Sequence, residues 1–333
     1  MSTLKIDELK NNGSAIDLPN GIKVGGNEIV QGYTSSGTEP ASPVTGDFWW
    51  DSTNELLYQY VNGEFKAITV ANATVIWDAD VNSFTTTGVQ SVSVADSTPN
   101  GVVFSTDGTR MFVVGDGSNR VYQYNLTTGF DVTTASYSSF FAASQESTPG
   151  GLVFNTDGTK MYIVGVTQDK VFQYSLSTAW DITTTSYDSV SFSVTSQETF
   201  PEGLTFNNDG TRMFVIGRAT DKVYQYDLST AFDISTASYN NVNKIANQDS
   251  NPHDLAFNTE GTKMYMMGGA NSMIYQYVLS TGFDISTMTY SGLSFSIVNQ
   301  EGVARGLTFS ADGTKFYVTG VASQKVWQYS TGL

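Results

Sequence analysis

The sequence predicts an all-β protein: a five-bladed β-propeller whose last blade is closed by an N-terminal strand, preceded by a small β attachment region. Three observations support this prediction: a composition that favours strands, a repeat of 50 to 52 residues, and an incomplete fifth copy of the repeat. The 333 residues include 13% aromatic side chains and 31 glycines, a composition more typical of strands and turns than of helices.

The repeat is clearest at a phenylalanine that ends a short apolar strand and recurs in steps of 50, 52, 51 and 52 residues. The five copies are Phe104, Phe154, Phe206, Phe257 and Phe309. In each copy a first strand such as "GLVFN" is followed by an Asp-Gly or Glu-Gly turn and a second strand such as "KMYIVG". A variable loop, a third strand such as "KVFQY", a spacer and a fourth strand complete the unit. Four-stranded units of this length are typical of propeller blades.

The turn after the first strand has a glycine in every copy, which supplies the positive φ of a tight hairpin. These glycines are Gly108, Gly158, Gly210, Gly261 and Gly313. In the second strand, for example "MFVVG", both alternating sets of side chains are apolar. The pattern predicts sheets that are buried on both faces, as blades packed around an axis would be.

The number of blades follows from the two ends of the repeat region. The chain stops at "KVWQYSTGL", after the third strand of the fifth copy. Upstream of the first copy, "TTGVQSVSVADSTPNG" (86–101) matches "TASYSSFFAASQESTPGG" (134–151). We therefore expect the N-terminal segment to supply the missing outer strand, so that residues 71–333 form a closed ring of five blades.

The pattern "P-x-G-L-x-F", followed by the Asp-Gly turn and a strand such as "MFVVG", resembles the YVTN and lactonase-like propeller repeats. The resemblance covers roughly residues 85–333. It implies the propeller fold and says little about function, because propellers serve as enzymes, lectins and scaffolds alike.

The first 70 residues differ from the repeats. Residues 1–36 carry too little apolar surface to fold alone and are expected to dock or oligomerise. Residues 37–70 hold a linker and a small Trp-rich β module that turns at Asn62-Gly63. "GDFWWD…LYQYVNGEF" resembles a module of tailed-phage fibres, and "TLKIDEL…LPNGIKVGG" resembles the N-termini of marine, cyanophage-like structural proteins. These resemblances imply attachment to other virion proteins through residues 1–70, with a homotrimer as one assembly.

Charge and cysteine content restrict the partners. Thirty-two acidic and 16 basic residues give a net charge of −16, which argues against binding to nucleic acid. The chain has no cysteine, no apolar signal-peptide core at its start and no long apolar run, so no membrane insertion is expected. We expect synthesis in a host cytoplasm and a final location in the virion, and no cofactor or metal is predicted.

The candidate binding residues lie where the copies differ. The "DGT" turns are nearly identical in all copies, whereas the loops between the second and third strands vary, and exposed loops on a rigid scaffold commonly recognise ligands. Residues just before each first strand should line the mouth of the channel on the same face. The candidates are Asn100, Glu202, His253, Asp254 and Arg305 at the mouth, and Asp116, Asn119, Arg218 and Asp221 in the loops.

Two further sets of residues recur in all five copies. One acid precedes each first strand: Asp96, Glu146, Glu198, Asp249 and Glu301. These acids either bind Ca²⁺ or accept structural hydrogen bonds from backbone N–H groups, and their regular repetition favours the structural role. The glutamine of "YQY" indicates a contact between blades, at Gln123, Gln173, Gln225, Gln276 and Gln328.

The favoured function is a phage virion appendage, either a tail fibre or a capsid-surface decoration, that displays the propeller to a host glycan or protein. No enzymatic activity is predicted, because a lone histidine is no metal site and glycosidase chemistry has only Glu202 and Asp254 to use at the mouth. The alternatives are a lactonase- or glycosidase-like propeller enzyme and a lectin-like binding module.

Overall fold

A computed structural model describes residues 77–333 and six short strands within residues 22–67. The chain divides into two compact units, Met1–Ile76 and Trp77–Leu333. Among the described residues, no helix has the length and apolar character needed to cross a membrane.

The first unit contains a hairpin and a four-stranded sheet. In the hairpin, β1 (Ile22–Val24) pairs antiparallel with β2 (Asn27–Ile29). The sheet consists, in order, of β3 (Tyr33–Ser36), β4 (Phe48–Asp51), β5 (Leu56–Val61) and β6 (Glu64–Ala67). β3 and β4 are parallel, and the other neighbours are antiparallel. The Trp side chains of the module and the predicted attachment contacts lie outside the described part of the chain.

The second unit is a ring of five four-stranded antiparallel sheets, which confirms the predicted five-bladed propeller. Its first strand is β7 (Thr85–Ser93), which belongs to the last blade. Blade 1 follows, with β8 (Pro99–Phe104), β9 (Arg110–Gly115), β10 (Arg120–Leu126) and β11 (Ala135–Ala142). The first strands of the blades contact one another around the axis, and the fourth strands lie outermost.

Blades 2, 3 and 4 repeat this arrangement. Their strands are β12 (Pro149–Phe154), β13 (Lys160–Gly165), β14 (Lys170–Leu176), β15 (Thr185–Ser193), β16 (Pro201–Phe206), β17 (Arg212–Gly217), β18 (Lys222–Leu228), β19 (Ala237–Ile245), β20 (Pro252–Phe257), β21 (Lys263–Gly268), β22 (Met273–Leu279) and β23 (Met288–Ser296). A short 3-10 turn precedes each fourth strand, at Val81–Ser83, Val132–Thr134, Ile182–Thr184, Ile234–Thr236 and Ile285–Thr287.

Blade 5 is completed by the N-terminal strand, as predicted. Its strands are β24 (Ala304–Phe309), β25 (Lys315–Gly320), β26 (Lys325–Ser330) and β7. β7 pairs antiparallel with β26, with Gln90 opposite Gln328. Trp77, Val81 and Phe84 are buried in one apolar cluster with side chains of blades 4 and 5. The segment before β7 therefore contributes to the core as well as to the sheet.

The second strands are buried on both faces. Met111, Phe112, Val113 and Val114 in β9 are all fully inaccessible to solvent. Successive side chains of a strand point to opposite faces, so each blade is covered by a neighbouring blade on both sides.

The turn glycines are required by their contacts as well as by their φ. Gly108 has φ 69°, and a Cβ at this position would lie 2.3 Å from the ring of Phe130. In blade 5 the aromatic ring against Gly313 belongs to Trp77, from the start of the second unit. The closing segment therefore supplies the same aromatic contact as the other blades.

The repeated glutamines join neighbouring blades, as expected from their position. Each Oε1 accepts a hydrogen bond from the first N–H of the 3-10 turn in the next blade, for example from Ile182 to Gln123 at 3.2 Å. The same hydrogen bond joins blade 5 to both of its neighbours. The N–H of Val81 donates to Gln276 at 2.9 Å, and the N–H of Val132 donates to Gln328 at 3.0 Å.

The first strands approach the axis so closely that four of the five have glycine at their third residue. A Cβ at Gly101 would lie 3.3 Å from the Cα of Gly151, and one at Gly151 would lie 3.2 Å from the Cα of Gly203. Blade 4 has Asp254 at this position. These contacts leave little room along the axis below the residues that begin the first strands.

Candidate functional site

The candidate site is a cavity of about 490 Å³ on the face where second strands turn into third strands. Its walls come from three kinds of segment: blade-to-blade loops, the starts of first strands, and the loops after second strands. The lining residues are Asn100, Asp116, Thr148, Val166, Thr167, Asp169, Thr199, Phe200, Glu202, Arg218 and Arg305. The structure thus brings five of the predicted residues into one concavity: Asn100, Asp116, Glu202, Arg218 and Arg305.

Glu202 lies at the centre of the charged groups. Its side chain is 5% exposed, and its Oε1 lies 2.9 Å from Nε of Arg218 and 3.9 Å from Nη1 of Arg305. Its Oε2 lies 3.7 Å from Nδ1 of His253. A buried carboxylate needs compensating charge, and here the two arginines supply it. Residues of blades 3, 4 and 5 therefore meet at one carboxylate.

His253 is held as a neutral imidazole behind the cavity wall. Nη1 of Arg305 lies 3.2 Å from its Nδ1. A guanidinium can only donate, so Nδ1 accepts and the proton is assigned to Nε2. Burial lowers the pKa of His253, and this effect exceeds the opposing influence of Glu202. The imidazole therefore fixes Arg305 without adding a second positive charge.

Asp254 lies next to this cluster and does not line the cavity. Its Oδ1 accepts a hydrogen bond from the N–H of Leu255 at 2.9 Å, and its Oδ2 accepts one from the N–H of Leu307 at 2.8 Å. Burial raises the pKa of Asp254 to about 7. Leu307 lies two residues after Arg305 in β24, so this carboxyl group links blades 4 and 5 beside the charged cluster.

Asn100 and Asp116 line the cavity from blade 1. Nδ2 of Asn100 donates to the carbonyl oxygen of Pro149 at 2.8 Å, which fixes the amide. Among the described residues, Oδ1 of Asn100 and Oδ1 of Asp116 are buried without a hydrogen-bond partner. Burial raises the pKa of Asp116, and a hydrogen bond from Thr98 and the charge of Arg305 oppose this shift.

The remaining predicted residues, Asn119 and Asp221, shape turns and do not line the cavity. Both have positive φ, 54° and 52°. Their carbonyl oxygens accept the N–H groups of Ala143 and Ala246 at 2.9 and 2.8 Å. Their place at the end of the loop is thus set by the backbone of the turn.

The five repeated acids hold the rim of the cavity together. Glu198 is fully buried and accepts hydrogen bonds from the N–H groups of Phe200, Ala219 and Thr220 at 2.8, 3.0 and 3.2 Å. Asp96 accepts the equivalent bonds from Thr98 and Gly117 at 2.8 and 3.2 Å. The carboxylates therefore tie each blade-to-blade loop to the loop after the second strand, which is the structural role favoured by the sequence. No group of three or more His, Asp or Glu suited to a metal occurs within the described ranges.

Phe200 is a site residue that sequence reasoning missed. It lines the cavity, is 40% exposed, and has the guanidinium carbon of Arg218 4.2 Å from its ring centre. The signal available in the sequence was its difference from the corresponding residues of the other blades, which are Thr98, Thr148, Asn251 and Val303.

Solved structures match the chain at low identity. A candidate 6-phosphogluconolactonase from Bacteroides uniformis ATCC 8492 is 13% identical, with a TM-score of 0.44, over 80% of this chain and 70% of that chain. Another from Bacteroides fragilis NCTC 9343 is 11% identical, with a TM-score of 0.45 and the same shares. A functionally unknown protein from Desulfotomaculum acetoxidans DSM 771 is 11% identical, with a TM-score of 0.45, over 71% and 83%. No curated protein matches the chain. At this level the similarity supports no conclusion about function.

A family model described as "Lactonase, 7-bladed beta-propeller" matches residues 50–280. The described part of this chain has five blades, so it differs from that description in blade number. Glu202, Arg218 and His253 fall within the matched range, and Arg305 lies beyond it.

The comparisons correct the functional prediction. The sequence reasoning predicted no enzymatic activity because it looked for metal and glycosidase groups; the family match contradicts this prediction and points to a hydrolase. No comparison supports a phage or virion origin, and the expected virion partners, host receptor and location stay predictions. The family model matches more than half of this chain, and the chain therefore belongs to the lactonase family of β-propellers.

Proposed function

We propose that this protein is a propeller hydrolase that opens the ring of a small anionic lactone. The observation that carries the proposal is the cluster of Glu202, Arg218, Arg305 and His253 at one cavity. Membership of the lactonase family supports the reaction class. A cavity of about 490 Å³ has the size of a small-molecule site.

The two arginines have different tasks in this proposal. Arg218 uses Nε to bond Glu202, and within the described part of the chain its two terminal nitrogens have no hydrogen-bond partner. A guanidinium fork of this kind suits a carboxylate or phosphate of the substrate. Arg305 donates toward the lactone carbonyl oxygen and stabilises the negative charge that develops there when water attacks.

Glu202 is the proton acceptor in the proposed reaction. Its Oε1 is bonded to Arg218, whereas its Oε2 is 3.7 Å from His253 and so remains available to a water molecule in the cavity. The water oxygen attacks the carbonyl carbon while Glu202 takes its proton. The bond between the acyl carbon and the ring oxygen then breaks, and Glu202 returns the proton to that oxygen. Lactone and water thus give a hydroxy acid.

The test uses the full-length protein and a panel of γ- and δ-lactones, with and without a carboxylate or phosphate substituent. Ring opening is followed by acid release with a pH indicator and corrected for the uncatalysed reaction. We expect catalysis of an anionic lactone, and a fall of about 100-fold in kcat for Glu202→Gln, because a positioned acid–base group contributes that much.

Asp227→Asn is the control, since Asp227 is half exposed and lies at the end of β18 that is farther along the chain from Arg218. It should leave kcat and KM unchanged. The proposal fails if the wild type accelerates no lactone in the panel, or if Glu202→Gln is as active as the control.

A further inference from the structure

Phe200 is unusual among the cavity residues because it is a large apolar side chain left 40% exposed at the rim. Blade 3 alone combines an aromatic residue at this position with an arginine at the end of the second strand. The residues that correspond to Arg218 in the other blades are Asp116, Val166, Gly269 and Val321. The pair is thus an addition to the repeat, and the fold of a blade does not require it.

The backbone of Phe200 is fixed from two directions. Its N–H donates to Oε1 of the buried Glu198 at 2.8 Å. Its carbonyl oxygen accepts the N–H of Arg218 at 3.2 Å. The ring is therefore presented from a constrained segment, and the backbone bond to Arg218 sets the two side chains on the same part of the rim.

The guanidinium of Arg218 is restrained on one face and at one edge. Its central carbon lies 4.2 Å from the centre of the Phe200 ring, well within the range of a cation–π contact. Its Nε lies 2.9 Å from Oε1 of Glu202. Two contacts of this kind define the plane of the group.

We propose that Phe200 is a positioning residue that holds the guanidinium of Arg218 ready for the anionic group of the substrate. This inference rests on the proposed function, in which Arg218 binds that group. Without the ring, Arg218 keeps its charge but samples more rotamers, and binding must then order it. The loss should appear in KM for an anionic substrate, because the terminal nitrogens of Arg218 bind the anionic group in the proposed mode, while its Nε keeps the contact with Glu202.

The experiment compares two substrates: the anionic lactone that the wild type hydrolyses fastest, and the same lactone masked by methylation of every acidic oxygen of its anionic group, so that the group is neutral. For Phe200→Ala we expect KM for the anionic lactone to rise about 10-fold with little change in kcat. The masked lactone should show no change in KM. Phe200→Tyr and Phe200→Trp should restore the wild-type KM, because each retains an aromatic face.

The chain offers a matched control in blade 1. Arg120 lies 4.0 Å from the ring centre of Phe140, which is 44% exposed on the outer strand β11. Phe140→Ala removes an equivalent cation–π contact away from the cavity and should leave both substrates unaffected.

The outcomes separate this inference from the proposed function. The positioning role is wrong if Phe200→Ala changes KM equally for both substrates, leaves both KM values unchanged, or changes kcat alone. In each of these cases the proposed hydrolase activity stands. If the wild type hydrolyses no lactone, or prefers the masked one, the proposed substrate class falls and this inference falls with it.

Discussion

Asp254 replaces the glycine that the other four blades have at the third residue of the first strand. The corresponding residues of the other blades are Gly101, Gly151, Gly203 and Gly306. Asp254 instead buries a carboxyl group whose oxygens accept the N–H groups of Leu255 and Leu307. Desolvation outweighs these two bonds and raises the pKa to about 7.

This shift predicts a pH dependence of stability. The folded state holds a proton on Asp254 between its ordinary pKa of 3.8 and about 7, whereas the unfolded chain does not. The contribution of Asp254 to stability should therefore be greatest below pH 4, fall as the pH rises toward 7, and level off above that value. Asp254→Asn should remove this fall, because an amide side chain does not titrate in this range. Urea unfolding between pH 4 and pH 8 measures both.

Asp209→Asn serves as a control with the opposite sign. Hydrogen bonds from Thr211 lower the pKa of Asp209, so its contribution to stability is present above the unfolded pKa and is lost only in acid. This variant should keep the fall in stability between pH 4 and pH 7. An unchanged fall in Asp254→Asn would show that another group carries the effect.

For single residues, the sequence predicted which side chains lie near the cavity better than it predicted the contacts between them. Glu202, His253 and Arg305 were predicted because they occupy a position at the start of the first strand that differs in every copy of the repeat, and the fold places that position beside the cavity. The bond from Arg218 to Glu202 and the stacking of Arg218 on Phe200 depend on rotamers, which a repeat pattern does not encode. The role of the cluster was missed for the same reason.

Among the structural elements, the blade-to-blade loops are held in place by the buried acids. Glu198 connects the loop before β16 with the loop after β17 through three backbone N–H groups and the hydroxyl of Thr220. Asp249 does the same in blade 4, through Asn251, Ala270 and Asn271. A single carboxylate thus satisfies donors from two loops that carry no regular secondary structure.

Removing one of these carboxylates should destabilise the protein strongly. Glu198→Ala leaves its backbone donors buried without a partner, so we expect a loss of about 3 kcal/mol in the free energy of unfolding. Chemical denaturation measures this loss. Asp227→Ala, which truncates a half-exposed side chain, should change stability by less than about 0.5 kcal/mol. A loss no larger than in that control would contradict the structural role of the acid.

Over the whole molecule, the closure of the ring determines which part of the chain is indispensable. The match between residues 86–101 and 134–151 predicted that β7 completes blade 5, because in both segments a strand precedes an acid and the same Ser-Thr-Pro turn. The same match could not show the role of Trp77, which lies outside the matched segments. The structure places its ring against Gly313, in the position that Phe130 takes against Gly108.

The closure predicts that two N-terminal truncations behave differently. Deletion of residues 1–70 removes no strand of the propeller and should leave the melting temperature close to that of the full chain. Deletion of residues 1–97 removes β7 and the buried side chains of Trp77, Val81 and Phe84, and it exposes the edge of β26. Losing two buried aromatic side chains alone costs about 6–10 kcal/mol, comparable to the whole stability of many domains, so this variant should unfold or aggregate.

Thermal unfolding followed by circular dichroism compares the two truncations. A separate peptide of residues 71–97 provides the control, because it should restore a cooperative transition to the longer truncation by pairing with β26 and filling the cluster around Phe316. Restoration would distinguish the loss of the closing strand from general damage to the chain. Equal melting temperatures for the two truncations would mean that the ring holds together through blades 1 to 4 and the three C-terminal strands, without the N-terminal closure.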